Sequence, residues 1–128
     1  MTTIKRFEDL EVWQIAKELT HSIYQLTKKG KFSKDFGLRD QIQRASVSVM
    51  SNIAEGFESD TQALFTTYLA RTKASAGEIR CQLYIAFDLD YITKEEFQDY
   101  TDKAEKCSKQ LFGFIKYLRS KPNFRRVK

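Results

Sequence analysis

The sequence predicts an all-α fold, an antiparallel up-down-up-down four-helix bundle over residues 1–120, followed by a basic C-terminal tail over 121–128. Three observations carry this expectation. Apolar residues recur at alternating spacings of three and four in successive stretches, the period of a helix with one buried stripe. The connections between those stretches are mostly short, so consecutive helices are antiparallel neighbours. The 128 residues hold one proline and five scattered glycines, a composition that suits helices and argues against a turn-rich β fold. A chain of this length makes one domain with a real core.

Helix 1 is expected from about Leu10 to Lys29, with Asp9 as N-cap and Gly30 as the stop. Val12, Ala16, Leu19, Ile23 and Leu26 form a heptad seam. Trp13 and Tyr24 lie eleven residues apart and share a second face. Helix 2 is expected from Leu38 to Phe57, after a connection in which Ser33 is a possible cap. Its apolar side is Leu38, Ile42, Ala45, Val49 and Ile53, and many of its residues are small: Ala45, Ser46, Ser48, Ser51, Ala54 and Gly56. A polar line, Arg44, Ser48, Asn52 and Glu55, follows one side. Asn52 borders the seam, where a polar group can fix register or oligomer state.

Helix 3 is expected from Thr61 to Asp88 with Asp60 as N-cap, and its seam reads Leu64, Tyr68, Thr72, Ala76, Ile79, Leu83, Ala86. Its middle is small again, Ala70 and Ala74 to Gly77. Folded back on helix 2, that run lies level with Ala45 and Ser46, which allows a close crossing. Gly77 inside a helix costs about 1 kcal/mol relative to alanine, and close packing is the expected compensation. Helix 4 opens with a capping box, Thr93 to Glu96, and runs to Ser120 before Pro122. Phe97, Tyr100, Ala104, Cys107, Leu111, Phe114 and Leu118 make its seam, widened by Phe112 and Ile115. Aromatics off the seams, Trp13, Tyr24, Phe57 and Phe65 among them, exceed what a monomer needs and are candidates for a subunit interface.

The net charge is +5, and it is concentrated at one end. Residues 1–92 carry 12 basic and 12 acidic side chains; residues 93–128 carry 10 and 5. Lys116, Arg119, Lys121, Arg125, Arg126 and Lys128 are the candidate nucleic-acid-binding residues, interleaved with Tyr117 and Phe124. Basic residues between aromatics suit a single strand, whose phosphates pair and whose bases stack. The same charges also suit a plain solvated tail.

Other chemistries find little support. Glu18 and His21 have the Glu-x-x-His spacing of di-iron bundles, but His21 is the only histidine, so no metal site is expected. No glycine loop cradles phosphate, and no histidine accompanies Cys81 or Cys107. The two cysteines fall about 9 Å out of register on adjacent helices, too far for a disulfide, and are expected as core thiols in a reducing compartment. No segment approaches a membrane span, and the N-terminus lacks an apolar leader core, so a cytoplasmic protein without cofactor is expected.

Two segments carry a family resemblance. Phe7, Asp9, Leu10, Val12 and Trp13 form F-x-D-L-x-V-W. Gln41, Ile42, Arg44, Ala45, Ser48, Ser51, Asn52, Ile53, Ala54, Glu55 and Gly56 form Q-I-x-R-A-x-x-S-x-x-S-N-I-A-E-G, with Ser75, Glu78, Gln82 and Leu83 following. From about Phe7 to Leu118 the chain resembles the bacterial four-helix-bundle family of 23S rRNA intervening-sequence proteins. It departs from the family in having Met50 where proline is frequent and Ala74 where glycine is. The resemblance implies a homopentamer. It extends to the accessory proteins of diversity-generating retroelements, pentameric bundles that bind a reverse transcriptase and nucleic acid through basic surfaces. The expected function is therefore a non-enzymatic, pentameric protein that binds nucleic acid, RNA in particular. The rival expectation is a structural or adaptor protein for a protein partner. Arg44, Ser48, Asn52 and Glu55 are expected as a structural or interfacial polar cluster.

Overall fold

The computed structural model describes residues 4–121, which form four helices in a closed ring. They are α1 (Glu11–Thr27), α2 (Phe36–Glu58), α3 (Gln62–Asp88) and α4 (Lys94–Ser120). Each packs on its two sequence or ring neighbours, α1 closing on α4. Cross-helix bonds give the antiparallel register. Thr20 Oγ1 donates to Ser46 O at 2.9 Å and Gln43 Nε2 to Thr27 Oγ1 at 2.9 Å. Gln62 Nε2, at the start of α3, donates to Leu118 O and Lys121 O at the end of α4, at 3.2 and 2.9 Å.

The helix starts follow local hydrogen-bonding chemistry. The Thr93–Glu96 capping box forms with both bonds in place. At α2 the cap is Asp35 rather than Ser33. The Asp35 carboxylate accepts from Leu38 N at 3.1 Å, whereas the Ser33 hydroxyl turns back to Gly30 O. At α3 the cap is Thr61 rather than Asp60, its hydroxyl accepting from Leu64 N at 3.1 Å. Asp9 falls in a short 3-10 turn, Phe7–Asp9, and α1 starts after Leu10 without a side-chain cap. At the loop end of the bundle the Tyr91 hydroxyl donates to Asp35 Oδ2 at 2.8 Å, clasping the α1–α2 connection to the α3–α4 turn. That bond holds the phenol above its ordinary pKa. α2 continues through Met50 without a break.

The small-residue contact between α2 and α3 is made at Ser48 and Ser75, while Ala70, Ala74 and Gly77 are corrected to the open side of α3 beside α4. Ser48 and Ser75 share a hydrogen bond at 3.2 Å between their hydroxyls. Asn52 Nδ2 donates to Ser48 O and Ser48 Oγ, both at 2.9 Å, which ties the motif asparagine to this seam. One end of the crossing is set by Gly56: a Cβ there would sit 2.7 Å from Tyr68 Cβ and 3.0 Å from Phe65 Cδ1. Gly77 is different. A Cβ there meets nothing within 4 Å, so it faces open space and not a close crossing.

The α1 and α2 seams are buried as expected. The first turns of α3 are one position off. Phe65 and Leu69 are in the core, continuing through Thr72, Ala76, Ile79, Leu83 and Ala86, and Leu64 is 45% exposed. Phe57 and Phe65 are therefore corrected from interface candidates to core residues, at 4% and 0% exposure. Their rings meet edge to face at 5.8 Å, and Phe65 meets Phe114 in the same way at 5.8 Å. The cause is Gly56, whose missing side chain leaves the space that Phe65 fills. In α4, Ile115 takes the buried place and Phe114 lies at its edge.

One cysteine also moves. Cys107 is buried, and desolvation pushes its thiol up to about 11. Cys81 is exposed on the outer side of α3 and is not a core thiol.

Two predictions follow from this packing. Gly56→Ala should destabilise by about 1–3 kcal/mol through overpacking against Tyr68, whereas Gly77→Ala should stabilise by about 1 kcal/mol. Urea unfolding followed by circular dichroism separates the two signs. A thiol-reactive dye at pH 8 should label one cysteine per native chain and two in denaturant, because the thiolate is the reactive form. Mass spectrometry should place the native label on Cys81.

Candidate nucleic-acid interface

Lys116 and Arg119 are exposed on the last turns of α4, and Lys121 is exposed at its C-terminal cap. Arg125, Arg126 and Lys128 lie outside the described residues. Cations at a helix C-terminus complement its dipole, so α4 alone is explained by local stability. The neighbouring helix changes this. Lys73 of α3 lies with its Nζ 5.5 Å from the centroid of the Phe112 ring, and Lys116 Nζ lies over the same ring at 5.5 Å. A dipole argument does not reach Lys73, which stands in the middle of α3.

Lys73, Phe112 and Arg119 line an open groove of about 470 Å³ between α3 and α4, and Lys116 stands at its rim over the Phe112 ring. Its floor is small, Ala70, Ala74 and Gly77, and Arg80 and Arg119 also line it. Arg80 is paired with Glu105 at 3.5 Å. Lys73, Lys116 and Arg119 have no carboxylate partner among the described residues. Phe112 is 51% exposed, although a buried benzyl group would be favourable by about 1.5–3 kcal/mol. Each exposed cation–π contact returns only about 0.5–1 kcal/mol. The groove and its rim thus present one aromatic face and three cations, Lys73, Lys116 and Arg119, that are unpaired among the described residues.

A larger cleft of about 670 Å³ lies between α1 and α4, beside Phe114 and Tyr117. Its charged lining is Asp9, Glu11 and Lys109, so its net charge repels phosphate. Of the sequence-derived basic residues, the structure brings Lys116 and Arg119 into one site. Lys73, Arg80 and Phe112 join it without having been singled out for binding. The available signal was Lys73 and Arg80, seven apart and on one face of the small-residue stretch of α3.

The motif cluster divides. Ser48 and Asn52 are half-buried in the α2/α3 seam, while Arg44 and Glu55 are exposed and form no ion pair among the described residues. On α3, Gln82 is 4% exposed; its Nε2 donates to Glu78 Oε2 at 3.4 Å, and its Oε1 has no partner among the described residues. Of the interface candidates, Trp13 is half-buried against Phe7 with ring centroids 5.3 Å apart, and Tyr24 is 40% exposed. Val47 of the adjoining α2 is also exposed, at 42%. The α1/α2 side of the ring is opposite the α3/α4 groove. His21 is exposed and stands 3.4 Å from Gln25 Nε2. No helix among the described residues is long and apolar enough to cross a membrane.

Comparison with known proteins agrees with this architecture. No curated protein matches the chain. A crystal structure of a protein of unknown function from the S23 ribosomal protein family of Bacteroides thetaiotaomicron superposes with a TM-score of 0.76 at 24% identity. It covers 82% of this chain and 95% of the other, a likeness of fold. The model of the 23S rRNA-intervening sequence protein family matches residues 8–113, which include α1, α2, α3 and most of α4. With that match across most of its length, the chain belongs to the 23S rRNA-intervening sequence protein family.

Proposed function

We propose that this chain is a non-enzymatic protein that binds nucleic acid, RNA in particular, through the basic face shared by α3 and α4. The observation that carries the reading is the convergence of Lys73, Lys116 and Arg119, none paired with a carboxylate among the described residues, around exposed Phe112. Such a face attracts a phosphate backbone and gives a one-sided field. The family name points to RNA as the nucleic acid, in keeping with a cytoplasmic protein that needs no cofactor or metal.

Assembly as a homo-oligomer, a homopentamer by family resemblance, multiplies the face. Exposed Tyr24 and Val47, and half-buried Trp13 nearer the start of α1, supply apolar surface for subunit contact on the opposite side of the ring. Repeated basic faces on one particle turn a weak site into an avid one. Phosphate contacts position a strand without reading its sequence, so no base specificity is expected.

The same apolar α1/α2 side favours a second reading, in which the surface holds a protein partner and the chain acts as an adaptor. Salt dependence separates the two. Three phosphate contacts per chain give a log–log salt slope of about −2, so affinity for RNA should fall roughly 20-fold between about 50 and 200 mM salt. A Lys116→Glu, Arg119→Glu double variant should lose most of it. Filter binding of the purified protein to a structured rRNA fragment measures both. Equal affinity across the salt series, or an unimpaired double variant, would overturn the RNA reading in favour of the adaptor.

A further inference from the structure

Phe112 is the feature that electrostatics alone leaves unexplained. A phosphate track needs cations, not an aromatic ring held half in water. Lys73 and Lys116 approach the ring from two helices, and the ring stands half exposed at the groove. The groove floor beside it has no bulk. A Cβ at Gly77 would meet nothing within 4 Å, and Ala70 and Ala74 continue the same surface. Flat groups can therefore approach the backbone of α3 beside the ring.

We propose that the α3/α4 groove is a single-strand site in which an unpaired RNA base stacks on Phe112. This rests on the RNA-binding reading above and specifies its ligand. Base stacking on an aromatic ring outweighs an exposed cation–π contact, so a base displaces one lysine from the ring. The displaced ammonium and its neighbour Arg119 then pair with the flanking phosphates. A duplex cannot use the ring, because its bases are already stacked inside the helix. Every base has a π-face, so the site tolerates all sequences.

Charge also orients the strand. At the Arg80 end, Glu105 occupies the arginine, and Asp102 stands beside Glu105 in the next cleft along α4. Carboxylates repel phosphate there. At the other end Lys116, Arg119 and Lys121 extend the positive surface about 14 Å along the helix from Phe112. The strand therefore leaves the groove toward the C-terminal end of α4, with room for a few nucleotides per chain.

The test is fluorescence anisotropy of the full chain with a labelled 15-nucleotide oligouridylate, with an RNA duplex of equal length as competitor, about 50 mM salt being the starting condition. Phe112→Ala should weaken single-strand binding roughly tenfold with an unchanged salt slope, and Phe112→Trp should retain it. Lys73→Ala should instead reduce the slope, by about 0.7 for one lost phosphate contact. The duplex should compete poorly. Since Phe112 is half exposed, both ring variants are expected to fold, which thermal unfolding checks. If RNA is bound but Phe112→Ala binds as tightly as the parent, or the duplex competes equally, the single-strand site is overturned and the RNA reading stands. If neither RNA is bound, both are overturned.

Discussion

The close approach of α2 to α3 is the contact on which the rest of the bundle depends. Where Gly56 meets Tyr68 there is no room for one further carbon atom, and where Ser48 meets Ser75 two hydroxyls replace two apolar side chains. Helices that approach so closely leave little volume between them. The large side chains must then go elsewhere. Phe65 turns into the space beside Gly56 and carries an edge-to-face chain of rings from Phe57 to Phe114, linking α2, α3 and α4 at one end of the core. The opposite flank of α3 is just as small, at Ala70, Ala74 and Gly77, yet no helix closes on it. There α4 presents Phe112, and Lys73 of α3 reaches across the groove to its ring.

Much of this was legible in the sequence, for a physical reason. In α1 and α2 one unbroken apolar seam, Val12 to Leu26 and Leu38 to Ile53, has no rival of the same period, so periodicity identifies it. In α3 two stripes compete over the first turns, Leu64 with Tyr68 and Phe65 with Leu69. Both have the same spacing and both lead into Thr72. Only the partner helix decides between them, and Gly56 is on another element. The same ambiguity separates Phe114 from Ile115. N-caps fail for a related reason. Asp60 beside Thr61 offers two adjacent candidates, and the choice depends on the backbone of one residue. Chain-local reading found the basic end of α4 because those charges are consecutive. It could not join Lys73 to Phe112, which are 39 positions apart and meet only when α3 and α4 pair.

The charges are also sorted by cleft. The α1/α4 side carries the larger opening but lines it with Asp9 and Glu11, whereas the α3/α4 side carries the smaller one with cations. Volume alone would have pointed to the acidic side of the molecule. The motif residues add a further division of labour. Ser48 and Asn52 are committed to holding two helices in register, and Arg44 and Glu55, on the same helix, are left at the surface.

The Asp35–Tyr91 clasp has a consequence for how the chain reaches this state. It joins positions 56 residues apart, whereas the seams between consecutive helices join segments that follow one another along the chain. Loop-closure entropy favours the shorter closures first. Neighbouring helices therefore zip together early as hairpins, and the clasp forms only once both hairpins lie side by side. It acts as a latch on a finished bundle, not as a nucleus for its assembly.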